Sequence, residues 1–253
     1  MKTIFTTLAT AVALTATSSA GEYYRVSVYQ LNSPEKAAAF DKMMAAAIPV
    51  LTGAGVGPVG VFKGKRADKD GSPNWRYTIA ACDSLDKIAA SGKAFAEDED
   101  FLKEAYDYLA AEKSKPAFAR INTSTFVAFD GFPKLAKPAA AEGDERFFEL
   151  RIYESHGEYK AFMKVKMFNE GELDIFKKVG LRGVFFGHAL SGDNLPNLTY
   201  MLVYDNDAEH KKAWDAFRKD PDWSALKGEE QYADTVSKID SKFLTALPYS
   251  GIK

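Results

Sequence analysis

The chain has 253 residues, with 33 Lys plus Arg against 35 Asp plus Glu, a net charge of −2 and a pI near 6.0. The basic residues are spread along the sequence, which excludes the clustered footprint of a nucleic-acid binder. Cys82 is the only cysteine, so an intrachain disulfide is excluded and stability must come from packing.

In chain order, residues 1–20 read as a secretory signal peptide. Lys2 supplies the positive end, Leu8 to Ala16 is uncharged and mostly apolar, and Ser18-Ser19-Ala20 offers small residues before Gly21. That apolar stretch is too short to cross a bilayer, and no later one approaches the roughly 20 residues required. The expectation is a periplasmic or secreted protein with no membrane span. Tyr23–Tyr29, aromatic and β-branched, suits a strand. Ser33-Pro34 then opens a helix carrying Ala37, Phe40, Met44, Ala47, Ile48 and Leu51 at helical spacing, with Gly53 at its end. Pro49 inside that pattern predicts a kink or an early end. Val59–Phe62 and Trp75–Cys82 read as two strands joined by a polar loop through Lys69-Asp70-Gly71-Ser72-Pro73. Cys82 ends that apolar run and reads as a buried small hydrophobe. A second helical region follows from about Ser84 to Ala111, interrupted near Ser91-Gly92, and Ile121–Phe129 completes the half.

Pro133 to Gly143 lacks apolar periodicity and reads as a linker. Beyond it come Phe147–Tyr153, a helix from about Glu158 to Lys178 weakened at Gly171, Gly183–Leu190, Leu198–Tyr204, helical segments from Ala208 to about Ser237, and a strand near Ile239–Ala246. Asp220-Pro221 reads as a capped helical start with Trp223 packing on the core.

The two halves repeat each other. Pro73-Asn74-Trp75-Arg76-Tyr77 returns as Pro196-Asn197-Leu198-Thr199-Tyr200, a shift of 123. The segment from Ala94 to Phe101 returns from Ala216 to Trp223, a shift of 122, and Tyr23–Tyr29 returns as Phe147–Tyr153, a shift of 124. A repeat this long is a duplicated domain. Each copy orders its elements β-α-β-β-α-β, which is a ferredoxin-like unit with both helices on one face of an antiparallel sheet. Leu198, Tyr200, Leu202 and Tyr204 point one way while Met201 and Val203 point the other, so both faces of that strand need cover. The fold expected is α+β: two tandem ferredoxin-like βαββαβ domains, 21–131 and 146–253 with a linker at 132–145, packed sheet to sheet. Tyr24, Val26 and Val28 are assigned to the helix-facing core. Arg25, Ser27 and Tyr29, with their repeats Glu149, Arg151 and Tyr153, are assigned to the face between the sheets.

The stretch Glu149-Leu150-Arg151-Ile152-Tyr153, then Gly183-Val184-Phe185-Phe186, Val203-Tyr204-Asp205 and Phe217-Arg218-Lys219-Asp220-Pro221-Asp222-Trp223, resembles the NIPSNAP family. The likeness covers about 100 residues of the second half, and the first half is a diverged copy. It implies the dimeric α+β barrel superfold, with one chain carrying both halves. Relatives of that superfold include cofactor-free monooxygenases, haem enzymes and small-molecule binders, and the fold does not choose among them.

Site candidates come from the residues. His156, His188 and His210 are the only histidines and none forms an i, i+4 pair, so no metal site is expected. The acidic run Glu97–Asp100 lacks the glycine and distal glutamate of a calcium loop and reads as a helix turn. His188, near Phe186 on an expected edge strand, can serve as acid, base or haem ligand if it reaches a cavity, although an edge-strand position suits it better. Glu149 and Arg151 require mutual pairing if buried. A network tying the two halves together through Arg25 explains them more simply than a ligand anchor. Tyr29, Tyr153 and Tyr204 line the same region. The reading favoured is an exported small-molecule-binding or interaction module with no cofactor. Its partner would be a small-molecule ligand, with homo-oligomerisation left open. The alternative is a cofactor-free or haem-linked monooxygenase-like enzyme.

Overall fold

The computed structural model describes residues 21–66, 69–140, 143 and 145–253; the signal-like segment lies outside them. The N-terminal half runs β1 (Tyr23–Gln30), α1 (Pro34–Gly53), β2 (Val59–Gly64), β3 (Arg76–Cys82), α2 (Leu85–Glu97), α3 (Glu99–Glu104), α4 (Tyr106–Leu109) and β4 (Arg120–Ala128). The C-terminal half runs β5 (Phe147–Glu154), α5 (Glu158–Met167), a π-helical turn (Phe168–Glu172), α6 (Leu173–Val179), β6 (Arg182–Ser191), β7 (Asn197–Tyr204), α7 (Asp207–Lys219), α8 (Pro221–Leu226) and β8 (Lys238–Ala246).

Local chemistry sets these boundaries. Ser33 caps α1 by accepting from the Lys36 amide, with Pro34 at the first helical position. Asp98 and Asp220 cap α3 and α8 at matching places in the repeat. Trp223 packs on Phe217, and Cys82 is buried. Two expectations give way. Pro49 does not bring α1 to an early end, since the helix continues to Gly53. The interruption of the second helical region falls at Asp98 rather than Ser91-Gly92, because the Ser91 hydroxyl donates back to the Ile88 carbonyl and stays within α2. Gly171 does mark a weak point, which takes the form of the π-helical turn.

The eight strands close into one barrel in the order β1-β3-β2-β8-β5-β7-β6-β4. Each half contributes a 4-1-3-2 sheet, and the seams β2·β8 and β4·β6 are antiparallel. The sheets therefore face each other across a barrel and join at their edges. β6 is consequently not an edge strand; His188 on it pairs with Val127 of β4.

Two assignments are reversed. The barrel interior is an apolar cluster from both halves that includes Tyr24, Val26, Phe62, Tyr77, Phe148, Leu150, Phe185, Met201, Val203 and Leu244. Each such side chain contributes about 1.5–3 kcal/mol on burial. Arg25, Ser27, Tyr29, Glu149, Arg151 and Tyr153 instead point outward, toward the helices. Period-2 alternation puts these residues on one face but does not say which face that is. The middle of the barrel is apolar, with the charged side chains Asp240 and Lys242 paired with each other toward one end, whereas the helices offer Trp214, His210 and Lys164.

The second reversal concerns register. Arg25 lies opposite Ala80 of β3, and its repeat Glu149 lies opposite Leu202 of β7, so the third strands correspond at 202 − 80 = 122. The offset of 123 that aligns Tyr77 with Tyr200 is one residue out. Tyr77 enters the barrel while Tyr200 faces the helices, as a one-residue slip requires.

Candidate functional site

The space between sheet and helices differs sharply between the halves. In the C-terminal half it is filled. Glu149, 2 % exposed, accepts from Arg151 Nη1 at 2.5 Å, Trp214 Nε1 at 3.0 Å and Tyr204 at 3.2 Å, and His210 Nε2 lies 3.3 Å away. Burial pushes the Glu149 carboxyl up, but the hydrogen bond from His210 and the charge of Arg151 outweigh it and hold it below the usual range. Arg151 also donates to Tyr153 and stands over the Trp214 ring at 4.6 Å. The Tyr153 hydroxyl is 2.8 Å from that of Tyr200. Behind them the buried pair Lys164–Glu172 joins α5 to the π-helical turn at 2.6 Å. Burial raises the Glu172 carboxyl, with Lys164 opposing. Rings of Phe168, Phe176, Phe186 and Trp214 fill the remainder.

In the N-terminal half the same space is a cavity of about 450 Å³. The duplicated sequence explains it. Arg151, Tyr200 and Leu202 have as counterparts Ser27, Thr78 and Ala80, all three of which line the cavity. Large side chains have been replaced by small ones on the helix-facing side of two adjacent strands. Met43, Met44, Leu51, Val56, Ile88 and Phe95 make the apolar wall from α1, the turn after it and α2. The polar groups are few: Arg25, at the place of Glu149, with Ser27, Tyr29, Thr78, Ser91 and Tyr108. The Ser27 hydroxyl is tied to Thr123 at 2.9 Å. The Tyr108 hydroxyl is buried with no partner. Burial raises the hydroxyl pKa of Tyr29 and of Tyr108, so both stay protonated.

Of the residues singled out from sequence, Glu149, Arg151, Tyr153 and Tyr204 do converge, in the filled half. Tyr29 lines the cavity of the other half, so the six candidates do not form one site. Arg25 takes no part in the Glu149 network. His188 packs edge-on against Phe162 of α5 at 5.2 Å, and burial lowers its pKa. Sequence reasoning missed Tyr108, Thr78 and Ala80 as site residues, and Trp214 and His210 as partners of Glu149. The signal that would have exposed the cavity was the small-for-large exchange between the repeats, hidden by the register error in β3.

Residues 148–251 match the NIPSNAP family model. No curated protein matches the chain. Among solved structures, a candidate monooxygenase from Lactobacillus acidophilus NCFM aligns over 89% of this chain and 94% of its own, with a TM-score of 0.57 at 15% identity. A candidate monooxygenase from Fusobacterium nucleatum subsp. nucleatum ATCC 25586 aligns over 90% and 93%, with a TM-score of 0.59 at 13% identity. An anthrone oxidase-like protein aligns over 91% and 93%, with a TM-score of 0.52 at 12% identity. At these identities the likeness is one of fold.

Proposed function

With residues 148–251 a NIPSNAP domain that closes a barrel with its diverged sister copy, we propose that the chain is a small-molecule-binding protein whose site is the N-terminal cavity. The observation that carries this is the cavity itself. Its volume of about 450 Å³ falls in the usual range for ligand pockets, about 300–1,000 Å³, and so does its lining of apolar walls with a few convergent polar groups. The filled C-terminal half acts as the rigid scaffold. Export belongs to the same proposal and rests on the signal-like residues 1–20. Among the described residues no helix is long and apolar enough to cross a membrane.

An oxygenase reading is suggested by the candidate monooxygenases that share the fold, but the cavity lining favours binding. Cofactor-free oxygenation needs a base to generate a substrate anion, and none of the described lining residues is Asp, Glu or His. Haem iron is ordinarily held by His, Cys, Met or Tyr. Among these residues the lining supplies no His or Cys, Met43 and Met44 belong to the packed apolar wall, and the two tyrosines stay protonated. His210 is engaged by Glu149 and His188 rests on Phe162. The residues present do not fit a haem site.

The test is titration with the neutral fluorophore N-phenyl-1-naphthylamine. Saturable fluorescence enhancement is expected from the wild type. The double variant Thr78→Tyr/Ala80→Leu, which installs the C-terminal half's own residues, should lose it while keeping its far-ultraviolet circular dichroism. Undiminished probe binding by the folded double variant would refute the assignment.

A further inference from the structure

Resting on that binding reading, we propose that the ligand is an amphiphilic acid: an apolar chain or ring ending in one carboxylate, received by Arg25 with the Tyr29 and Tyr108 hydroxyls. Three observations converge. Arg25 lines the cavity and, among the described residues, makes no ion pair. The other arginines that are at least partly buried each hold a carboxylate: Arg66 with Asp70, Arg76 with Asp41, Arg146 with Asp205, Arg151 with Glu149, and Arg182 with Asp205 and Glu209. Arg25 is only part-buried, so water still reaches it, but the described cavity wall around it holds no anion and a carboxylate carried in by the ligand would supply a partner. Second, Tyr108 is 8% exposed and its hydroxyl is buried without a partner; a buried donor left unpaired carries a penalty that a ligand acceptor would remove. Third, Arg25, Ser27 and Tyr29 share one side of β1 along the cavity, and Tyr29 and Tyr108 both pack on Phe40, which gathers the donors on one part of the wall.

The remainder of the lining sets the rest of the ligand. Met43, Met44, Leu51, Ile88, Phe95 and Phe101 offer no charge. One cation matches one negative charge, which suits a carboxylate better than a phosphate dianion. Leu102, Leu109, Phe118 and Ile121 line the cavity while remaining part-exposed at 39%, 49%, 36% and 37%. They give the entrance an apolar rim past which the tail of the ligand can slide.

The experiment displaces bound N-phenyl-1-naphthylamine with matched pairs: decanoate against 1-decanol, and 2-naphthoate against 2-naphthol. In at least one pair the acid should bind about tenfold or more tighter than its neutral partner; which pair shows the preference separates an alkyl acid from an aromatic one. Arg25→Met should reduce that preference, read as the ratio of acid to neutral-partner affinity within the same variant, to about twofold or less. Equal affinity of acid and neutral partner in both pairs would overturn the proposal while the cavity remains a binding site. An undiminished preference in Arg25→Met would remove Arg25 as the anchor. If the neutral probe itself fails to bind the wild type, it is the underlying binding reading that falls. Should Arg25→Met fail to fold, Tyr108→Phe gives a second reading, expected to lower acid affinity alone.

Discussion

Replacing Glu149 by Leu removes the one carboxylate that touches Arg151 among the described residues, together with the acceptor for Trp214 and Tyr204. Arg151 is 16% exposed at its side chain, too buried for water to replace the lost partner. Breaking one side of a buried pair costs about 3–5 kcal/mol, a large fraction of the roughly 5–15 kcal/mol by which domains are stable. Glu149→Gln keeps an acceptor for Trp214 and should cost less, about 1.5–3 kcal/mol. Arg151→Met leaves Glu149 with three donors, so it too should fall in the lower range. The double variant Glu149→Leu/Arg151→Met should recover most of the loss, giving a coupling energy of at least about 1 kcal/mol. Guanidinium denaturation at pH 7 with an unchanged slope is the assay. The pH dependence has a defined sign. Glu149 is held below its ordinary pKa in the folded state, so its stabilisation is present above the ordinary glutamate range and is lost as pH falls through the folded value. Glu149→Gln should therefore flatten the acid limb of the stability curve. A Glu149→Leu protein within about 1 kcal/mol of wild type would refute the reading of this network as a buried structural anchor.

Two further outcomes follow from the architecture. Residues 145–253 expressed alone would expose the barrel face of β5–β8 and the free edges of β6 and β8, so they should dimerise through those edges or aggregate. Light scattering that showed a stable monomer would contradict the seam argument. If residues 1–20 are a cleaved signal peptide, intact-mass measurement of exported protein should give an N-terminus at or within a few residues of Gly21, and a retained Met1–Ala20 segment would refute it.

Much of the architecture was written in residues whose effect is local. Ser33-Pro34, Asp98 and Asp220 announce helix starts because a side-chain oxygen caps amides a few residues away. The duplication and the closed barrel were legible in the repeat and in the two-sided apolarity of β7. The direction in which β1 and β5 face was not. Alternation gives only relative orientation, and the choice depends on long-range partners such as Trp214, 65 residues beyond Glu149. The cavity was hidden for a related reason. It arises from residues that are small, Ser27, Thr78 and Ala80, and small residues are informative only against correctly registered counterparts. Pro73-Asn74 ahead of β3 and Pro196-Asn197 at the start of β7 match at one offset, yet the two strands correspond at another.

The claim that an apolar acid occupies the N-terminal cavity is tested most directly by methyl NMR of protein carrying 13C-methyl methionine. Met43 and Met44 line the cavity, Met163 and Met167 lie in the filled half, and Met201 lies inside the barrel. Titration with decanoate or with 2-naphthoate, whichever acid shows the preference, should move the Met43 and Met44 resonances saturably and leave the other three in place. Shifts confined to Met163, Met167 or Met201, or none at all with either acid in excess, would contradict the account.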